Sequence, residues 1–281
     1  MKVEANTEAR RAPPHDGTAE GHFSHYVAPL IDSALACAAA LRANPDAEVL
    51  HKLRVSLRHL RSLLWAYRPL LDDTFDAQQR ALFKFFASAA GKTRDWDILI
   101  ALLEETADTQ GQPREALETA RTKSLDASRE TLARANVKSA LRDALKEANL
   151  ELNTAHERTP LSKFARKRLT SAQKSMKKRM KRAAHAKRSD YGSYHEVRKA
   201  GKKLRYLIEF FEPVLKKKQM KSVSSLKKLQ KRFGELNDVV ASEQLLRDNQ
   251  SVFSDEALTA RALDSLAKER KRRMRAAASL L

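Results

Sequence analysis

The chain has 281 residues, 42% of them apolar, with 55 Lys or Arg against 35 Asp or Glu, a formal net charge of +20 and a single cysteine. That length can bury one large core or two smaller ones. The lone Cys37, set in an Ala-rich apolar run, excludes an intramolecular disulfide and a multi-cysteine zinc site and fits a reducing compartment. With only 7 Gly and 8 Pro against abundant Ala, Leu, Lys, Arg and Glu, the composition predicts an all-α protein.

Residues 1–20 are polar, carry Pro13, Pro14 and Gly17, and read as a disordered tail. They lack the apolar core of a secretory signal, and no unbroken apolar run reaches the roughly 18 residues that span a bilayer. The expectation is therefore a cytoplasmic protein without a membrane segment. A first helix is expected from about Ala28, with Pro29 in its first turn, to Arg42, ended by Asn44-Pro45.

A second helix is expected from near Asp46 until Pro69 kinks or ends it. Helices near Phe75–Ala90 and Asp97–Thr106 follow, separated by Gly91-Lys92-Thr93-Arg94-Asp95-Trp96. Residues 113–150 predict two amphipathic helices of mixed charge, and 161–187 a long basic helix with Lys163, Lys167, Lys174, Lys178 and Lys181 on one face. Ser193 and Glu196 form a capping-box pattern that places His195 in a first turn, whereas His51 is expected deeper in its helix. A last helix, Asp255–Leu280, ends in the basic run KERKRRMR, read as a solvated terminus.

The second helix occurs twice. HKLRVSLRHLRSLLWAYRPLL at 51–71 overlays HEVRKAGKKLRYLIEFFEPVL at 195–215 at a shift of 144, pairing His51 with His195, Arg54 with Arg198, Arg58 with Lys202, Arg61 with Arg205 and Pro69 with Pro213. At about 100° per residue the four polar positions fall within roughly 80° of a helix, and Leu53, Leu57, Leu60 and Leu64 occupy another arc. At a shift of 143, Lys84 meets Lys227, Gly91 meets Gly234, Arg94 meets Asn237 and Asp95 meets Asp238. This is the pattern of a diverged internal duplication.

A charged stripe by itself means only a solvated face. Two such stripes, each led by a histidine, repel one another unless an anion lies between them. The charge is also concentrated: residues 160–233 hold 25 Lys or Arg against 4 Asp or Glu, while the rest of the chain holds 30 against 31. A polyanion, an acidic membrane surface or an acidic protein is implied, and the second half is expected to dominate affinity.

The doubled H-x-x-R-x-x-x-[RK]-x-x-R followed by G-x-x-R-D-W-D or G-x-x-N-D resembles the CHAD family, the conserved histidine α-helical domain, over roughly residues 20–280. The resemblance implies two pseudo-symmetric four-helix bundles around a basic central pore or cleft, in halves of about 21–150 and 158–280. It also implies binding of inorganic polyphosphate and association with polyphosphate granules in the cytoplasm, with granule proteins as further partners. No ExExK strand of a fused triphosphate tunnel (CYTH) domain is present in the sequence, so the likeness is to stand-alone binding members and not to enzymes.

A phosphate polymer has no bases to read, so spaced cations suit it better than aromatic platforms. Arg54, Arg61, Arg198 and Arg205 can fork onto phosphate oxygens, and Arg58, Lys202, Lys84 and Lys227 add charge. Arg94, Lys199, Lys203 and Lys231 complete the candidate set. Trp65, Tyr67, Tyr206 and Phe210 fall at apolar helical positions and read as core, against base stacking. His51 and His195 admit three roles: phosphate contact, which is preferred, metal ligation together with Asp95 and Asp238, or phospho-acceptance. Asp95 and Asp238 either cap helices or hold a neighbouring Arg or His in place. Lys92 and Arg94 have no basic counterpart at Glu235 and Asn237, so the halves differ electrostatically. The alternatives to polyphosphate binding are a nucleic-acid-binding helical protein and a phosphohydrolase or phosphotransferase; no cofactor is expected.

Overall fold

A computed structural model describes residues 17–43, 46–105, 114–154, 158–187, 190–216 and 223–281. Among them are ten α-helices and no β-strand, as the composition predicts. They are α1 (Ala19–Ala43), α2 (Ala47–Tyr67), α3 (Asp73–Ala89), α4 (Lys92–Glu104), α5 (Arg114–Arg134), α6 (Val137–Thr154), α7 (Leu161–His185), α8 (Tyr191–Phe211), α9 (Val223–Asp248) and α10 (Glu256–Ala278).

The order of elements repeats along the chain. α1 and α7 have 25 residues each, and α2 and α8 have 21 each. Each of α2 and α8 ends in a 3₁₀ turn, Arg68–Leu70 or Glu212–Val214, because Pro69 and Pro213 supply no N–H to continue the helix. Each also starts at an aspartate. Asp46 accepts from the Glu48 N–H at 3.1 Å, and Asp190 accepts from the Ser193 N–H at 3.3 Å. These caps stand 144 residues apart, in the register of the motif. The expected Ser193–Glu196 capping box is therefore replaced by an Asp190 cap, and His51 and His195 sit at the same depth, five residues past it. The side chain of Glu196 turns to Arg179 and Lys199 instead.

The first helix starts nine residues earlier than expected, and Pro29 lies inside it. Thr18 supplies the missing start signal: its Oγ1 accepts from the Gly21 N–H at 3.1 Å. The preceding chain is tied to the entry of α7, since Ala19 N donates to Thr159 O at 2.8 Å and Leu161 N to Gly17 O at 2.9 Å. Buried Glu20 accepts from Thr159 N. The expected tail thus loses residues 17–20 to this junction; residues 1–16, Asn44-Pro45 and Pro113 lie outside the described residues.

α1 bears on the membrane expectation. Ala19–Leu41 is long and apolar enough, by length and composition, to cross a bilayer. Its hydropathy comes from many alanines spread among polar residues, which a search for an unbroken run passes over. In this fold Phe23, Val27, Ile31, Ala34 and Leu41 of the same helix pack into the main core.

That core draws on both halves. Tyr67 of α2 and Phe211 of α8, which occupy the same position of the repeat, face one another with ring centroids 5.9 Å apart, and Phe23 and Phe164 close around them. Each such fully buried side chain contributes roughly 1.5–3 kcal/mol by leaving water. A second apolar cluster joins Trp96, Leu99, Ile100 and Leu103 of α4 and Leu117 of α5 to Val239 and Leu246 of α9 and Ala262 and Leu266 of α10. Met176 fills core space, as its spacing predicts.

The halves differ in two places. α6, which packs on α1 and lies between α5 and α7, has no counterpart among the described helices of the second half. The break between α3 and α4 at Ala90-Gly91 is absent from α9, which runs unbroken through Gly234.

Candidate functional site

α2 and α8 touch, and their cationic stripes flank the contact. Two cavities open on it. The first, about 470 Å³, is lined by His51, Arg54, Arg58, Arg94 and Asp95 from the first half, and by Arg198, Lys202, Arg205, Lys227, Lys231 and Asp238 from the second. The second, about 890 Å³, is lined by Arg54, Arg58, Arg61, Arg80, Lys84 and Asp95, and by His195, Arg198, Lys199, Lys202 and Lys203. Arg54, Arg58, Asp95, Arg198, Lys202 and Asn237 belong to both walls.

The two cavities exchange under the sequence repeat. Shifting His51, Arg54, Arg58 and Lys227 of the first by one repeat length yields His195, Arg198, Lys202 and Lys84 of the second. The repeat of the chain is thereby a repeat of the site, with the six shared residues in the middle.

All sixteen residues singled out from the sequence line one cavity or both. Fourteen Arg or Lys side chains line the pair, seven from each half, against the carboxylates Asp95 and Asp238. The lining is therefore evenly divided, and much of the excess charge of the second half lies outside it, on α7, whose exposed cations line neither cavity.

Arg54 is held from the α3–α4 junction. Its Nη1 donates to Gly91 O at 3.4 Å and lies 3.5 Å from Asp95 Oδ1. Asp95 thus positions an arginine and caps nothing, since the N-cap of α4 is Gly91. Asp238 lies in the middle of α9, so it is not a cap either. Its carboxylate acts on Arg54, Arg198 and Lys202 across the cleft. Arg205 is held by Glu209 at 2.7 Å and donates to Gln230 Oε1 at 2.9 Å.

Burial sets the electrostatics. It lowers the pKa of Arg54, Arg61, Arg198 and Lys203, assisted in each case by neighbouring cations. Lys202 is the extreme case, brought down to about 7 by burial and then by Arg58 and Arg198. Desolvated like charges at this density raise the energy of the empty cleft, and an anion lowers it.

The histidines are in different settings. Tyr191 Oη donates to Asn237 Oδ1 at 3.0 Å and lies 3.2 Å from His195 Nδ1. Because the tyrosine proton is committed to Asn237, neutral His195 carries its proton on Nδ1 and donates it to the tyrosine oxygen. His51 has Ala47 where His195 has Tyr191, and its buried Nδ1 has no hydrogen-bond partner among the described residues. Both imidazoles have a lowered pKa, first from burial and then from adjacent cations, Arg94 for His51 and Lys199 for His195. Among the described residues no group of three or more His, Cys, Asp or Glu could hold a metal ion.

Of the four aromatics read as core, Tyr67 and Phe210 are fully buried in it. Trp65 and Tyr206 are partly buried against the same core and also line the second cavity. The Trp65 ring is covered by Arg168 at 4.7 Å and Lys203 at 4.6 Å, and its carbonyl accepts from Arg168 at 2.7 Å. Arg80, Lys92, Gln230 and Asn237 are lining residues outside the candidate set. Arg80 was legible, because it stands one helical turn before Lys84 on the same face. The terminal run is largely paired within the protein: Glu269 holds Arg272 and Arg273, and Arg270 reaches buried Glu243 at 3.0 Å.

The family profile of the CHAD domain matches residues 25–247. The chain belongs to the CHAD family. Among solved structures, the CHAD domain from the plant Ricinus communis superposes with a TM-score of 0.74 at 22% identity, covering 94% of this chain and 92% of that one. PptA from Streptomyces chartreusis superposes with a TM-score of 0.66 at 16% identity, covering 94% and 97%. At these identities the likeness is one of fold. No curated protein sequence matches the chain. In this CHAD domain the α2–α8 cleft is where the histidine motifs of the two halves meet.

Proposed function

We propose that this CHAD domain binds inorganic polyphosphate in the cleft between α2 and α8, without turning it over, and that binding brings the protein to polyphosphate granules in the cytoplasm. The observation that carries this reading is the lining of the two adjoining cavities: fourteen Arg or Lys against two carboxylates, with shared walls from both stripes. Forked arginines suit phosphate oxygens, and spaced lysines add attraction that demands no geometry. The buried Nε–H of Arg198 and the buried Nδ1 of His51 have no hydrogen-bond partner among the described residues; a phosphate oxygen would satisfy the first, and the second in its Nδ1–H form. Trp65, the one indole on the lining, already has cations over its ring, which supports a phosphate chain over stacked bases.

The test is a titration of the purified protein with polyphosphates of graded length, against RNA and duplex DNA at equal phosphate concentration and ionic strength. Polyphosphate should bind more tightly, with log affinity falling linearly in log salt as counterions are released. Tighter binding of nucleic acid reverses the assignment. Release of phosphate from polyphosphate or ATP, abolished by His51→Ala with His195→Ala, would replace binding by hydrolysis.

A further inference from the structure

α7 holds ten Lys or Arg and no Asp or Glu. Two of the ten are used on its inner side, Arg168 on Trp65 and Arg179 on Glu196 at 3.2 Å. The other eight, from Lys163 to Arg182, are exposed and line neither cavity. They fall within an arc of roughly 160° and extend over about 28 Å of helix. Between Lys163 and Arg182 the exposed remainder of that arc is Thr170 and Ser171, and past Arg182 it continues through exposed Ala184 and His185. It offers no large apolar side chain to enter a bilayer and no exposed Phe, Tyr or Trp ring to stack on a base.

The fold does not require this charge. α1 has the same length and the same place in the repeat, yet carries a single Lys or Arg, Arg42. A solvated face is served as well by mixed charge, as on α5, with five Lys or Arg and four Asp or Glu. On α7, like-charged pairs one turn apart, such as Lys163 with Lys167 and Lys174 with Lys178, oppose helix formation instead. The inner edge of this helix also borders the second cavity. Glu196 bridges Arg179 to Lys199, and Arg168 and Lys203 share Trp65; Lys199, Lys203 and Trp65 are all on the cavity wall.

We infer that the outer face of α7 is a second contact surface for a phosphate polymer, engaged by chains long enough to leave the second cavity and cross the Arg168–Arg179 edge. This rests on polyphosphate being the ligand of the cleft. Short chains are held by the cleft alone; long chains add the lysines of α7, which act as point charges on whichever phosphates reach them.

The experiment compares the full chain with a variant carrying Lys163→Gln, Lys167→Gln, Lys174→Gln, Lys178→Gln and Lys181→Gln. Both are titrated with tripolyphosphate, with long-chain polyphosphate and with duplex DNA over a salt series. Tripolyphosphate affinity should stay within twofold, while long-chain affinity falls at least tenfold and its salt slope becomes shallower by up to roughly 3.5, at about 0.7 per lost contact. Equal losses on both lengths would reduce the face to a diffuse field, and an unchanged long-chain affinity would remove it from the site. A loss confined to DNA would make it a nucleic-acid surface. Each of these overturns the inference while leaving tripolyphosphate binding by the unmodified chain, and with it the cleft reading, intact. An unmodified chain that binds neither polyphosphate overturns both.

Discussion

Gly91 is the seat of the Arg54 guanidinium: a Cβ on this glycine would lie 3.1 Å from both Nε and Cζ of Arg54, and 3.0 Å from the Ala87 carbonyl oxygen. The backbone there is ordinary right-handed helix, so the glycine serves close approach and not an unusual dihedral angle. At its repeat partner Gly234 a Cβ would meet nothing within 4 Å among the described residues beyond the adjoining turns of its own helix. Gly91→Ala should therefore displace Arg54 and weaken polyphosphate binding without any gain in stability. Gly234→Ala, inside α9, should raise unfolding stability by about 0.5–1 kcal/mol. Denaturant titration of both variants, with binding measured in parallel, checks the contrast; matching behaviour would contradict it.

Charge removal separates a site from a field. Replacing Arg54, Arg61, Arg198 and Arg205 by Ala should weaken polyphosphate binding by at least about a hundredfold, since charge-assisted hydrogen bonds contribute roughly 1.5–3 kcal/mol each. The matched control removes the exposed cations Arg261, Lys271, Arg272 and Arg275 of α10 and should cost less than about tenfold. Arg270 is left in place because it holds Glu243, and Arg273 because it keeps Glu269 paired once Arg272 is removed. Similar losses in the two variants would mean diffuse attraction.

Lys202 makes binding pH-dependent. Its pKa in the empty cleft is about 7, and a bound phosphate raises it, so binding takes up a proton above that pH. Affinity should fall as pH rises from 7 to 9, by up to about tenfold per unit for one coupled proton. Lys202→Arg stays charged throughout this range and should flatten the profile. The same lowered pKa means that the unfolded chain binds the extra proton, so the unliganded fold gains stability from Lys202 as pH climbs through that window. Isothermal titration in buffers of different ionisation enthalpy reads the proton uptake directly; none between pH 7 and 9 would remove Lys202 from the site.

Tyr67 is fully buried, and its hydroxyl has no hydrogen-bond partner among the described residues. Its repeat partner at the centre of the core is Phe211, which carries no hydroxyl. Tyr67→Phe should stabilise the fold by about 1 kcal/mol, the cost of leaving a hydroxyl unsatisfied. Thermal unfolding checks this, and a loss of stability would show that the hydroxyl is satisfied after all.

The helices, the Pro-terminated repeat and the cationic stripe were legible because each depends on neighbours within a few turns of chain. Asp46 and Asp190 show the limit of that reading. Ser193 with Glu196 matched a capping pattern, yet Asp190 starts the helix three residues earlier and Glu196 is drawn away by Arg179 of α7. α1 began earlier than its sequence suggested because Thr18 and Glu20 are anchored by the chain around Thr159, well over a hundred residues away.

What the sequence determined by itself was the all-helical class, the doubled motif and the residues that carry its charge, since periodicity and repetition are properties of the chain alone. Only the tertiary structure decided that the two stripes share one cleft, that the second half does not monopolise its charge, and that the lysines of α7 lie outside it. The physical reason is that a helical wheel shows which side chains share a face, while packing against other helices decides what that face meets. Arg54 and Arg198 became walls of the same cavities because the apolar sides of α2 and α8 were buried in a common core.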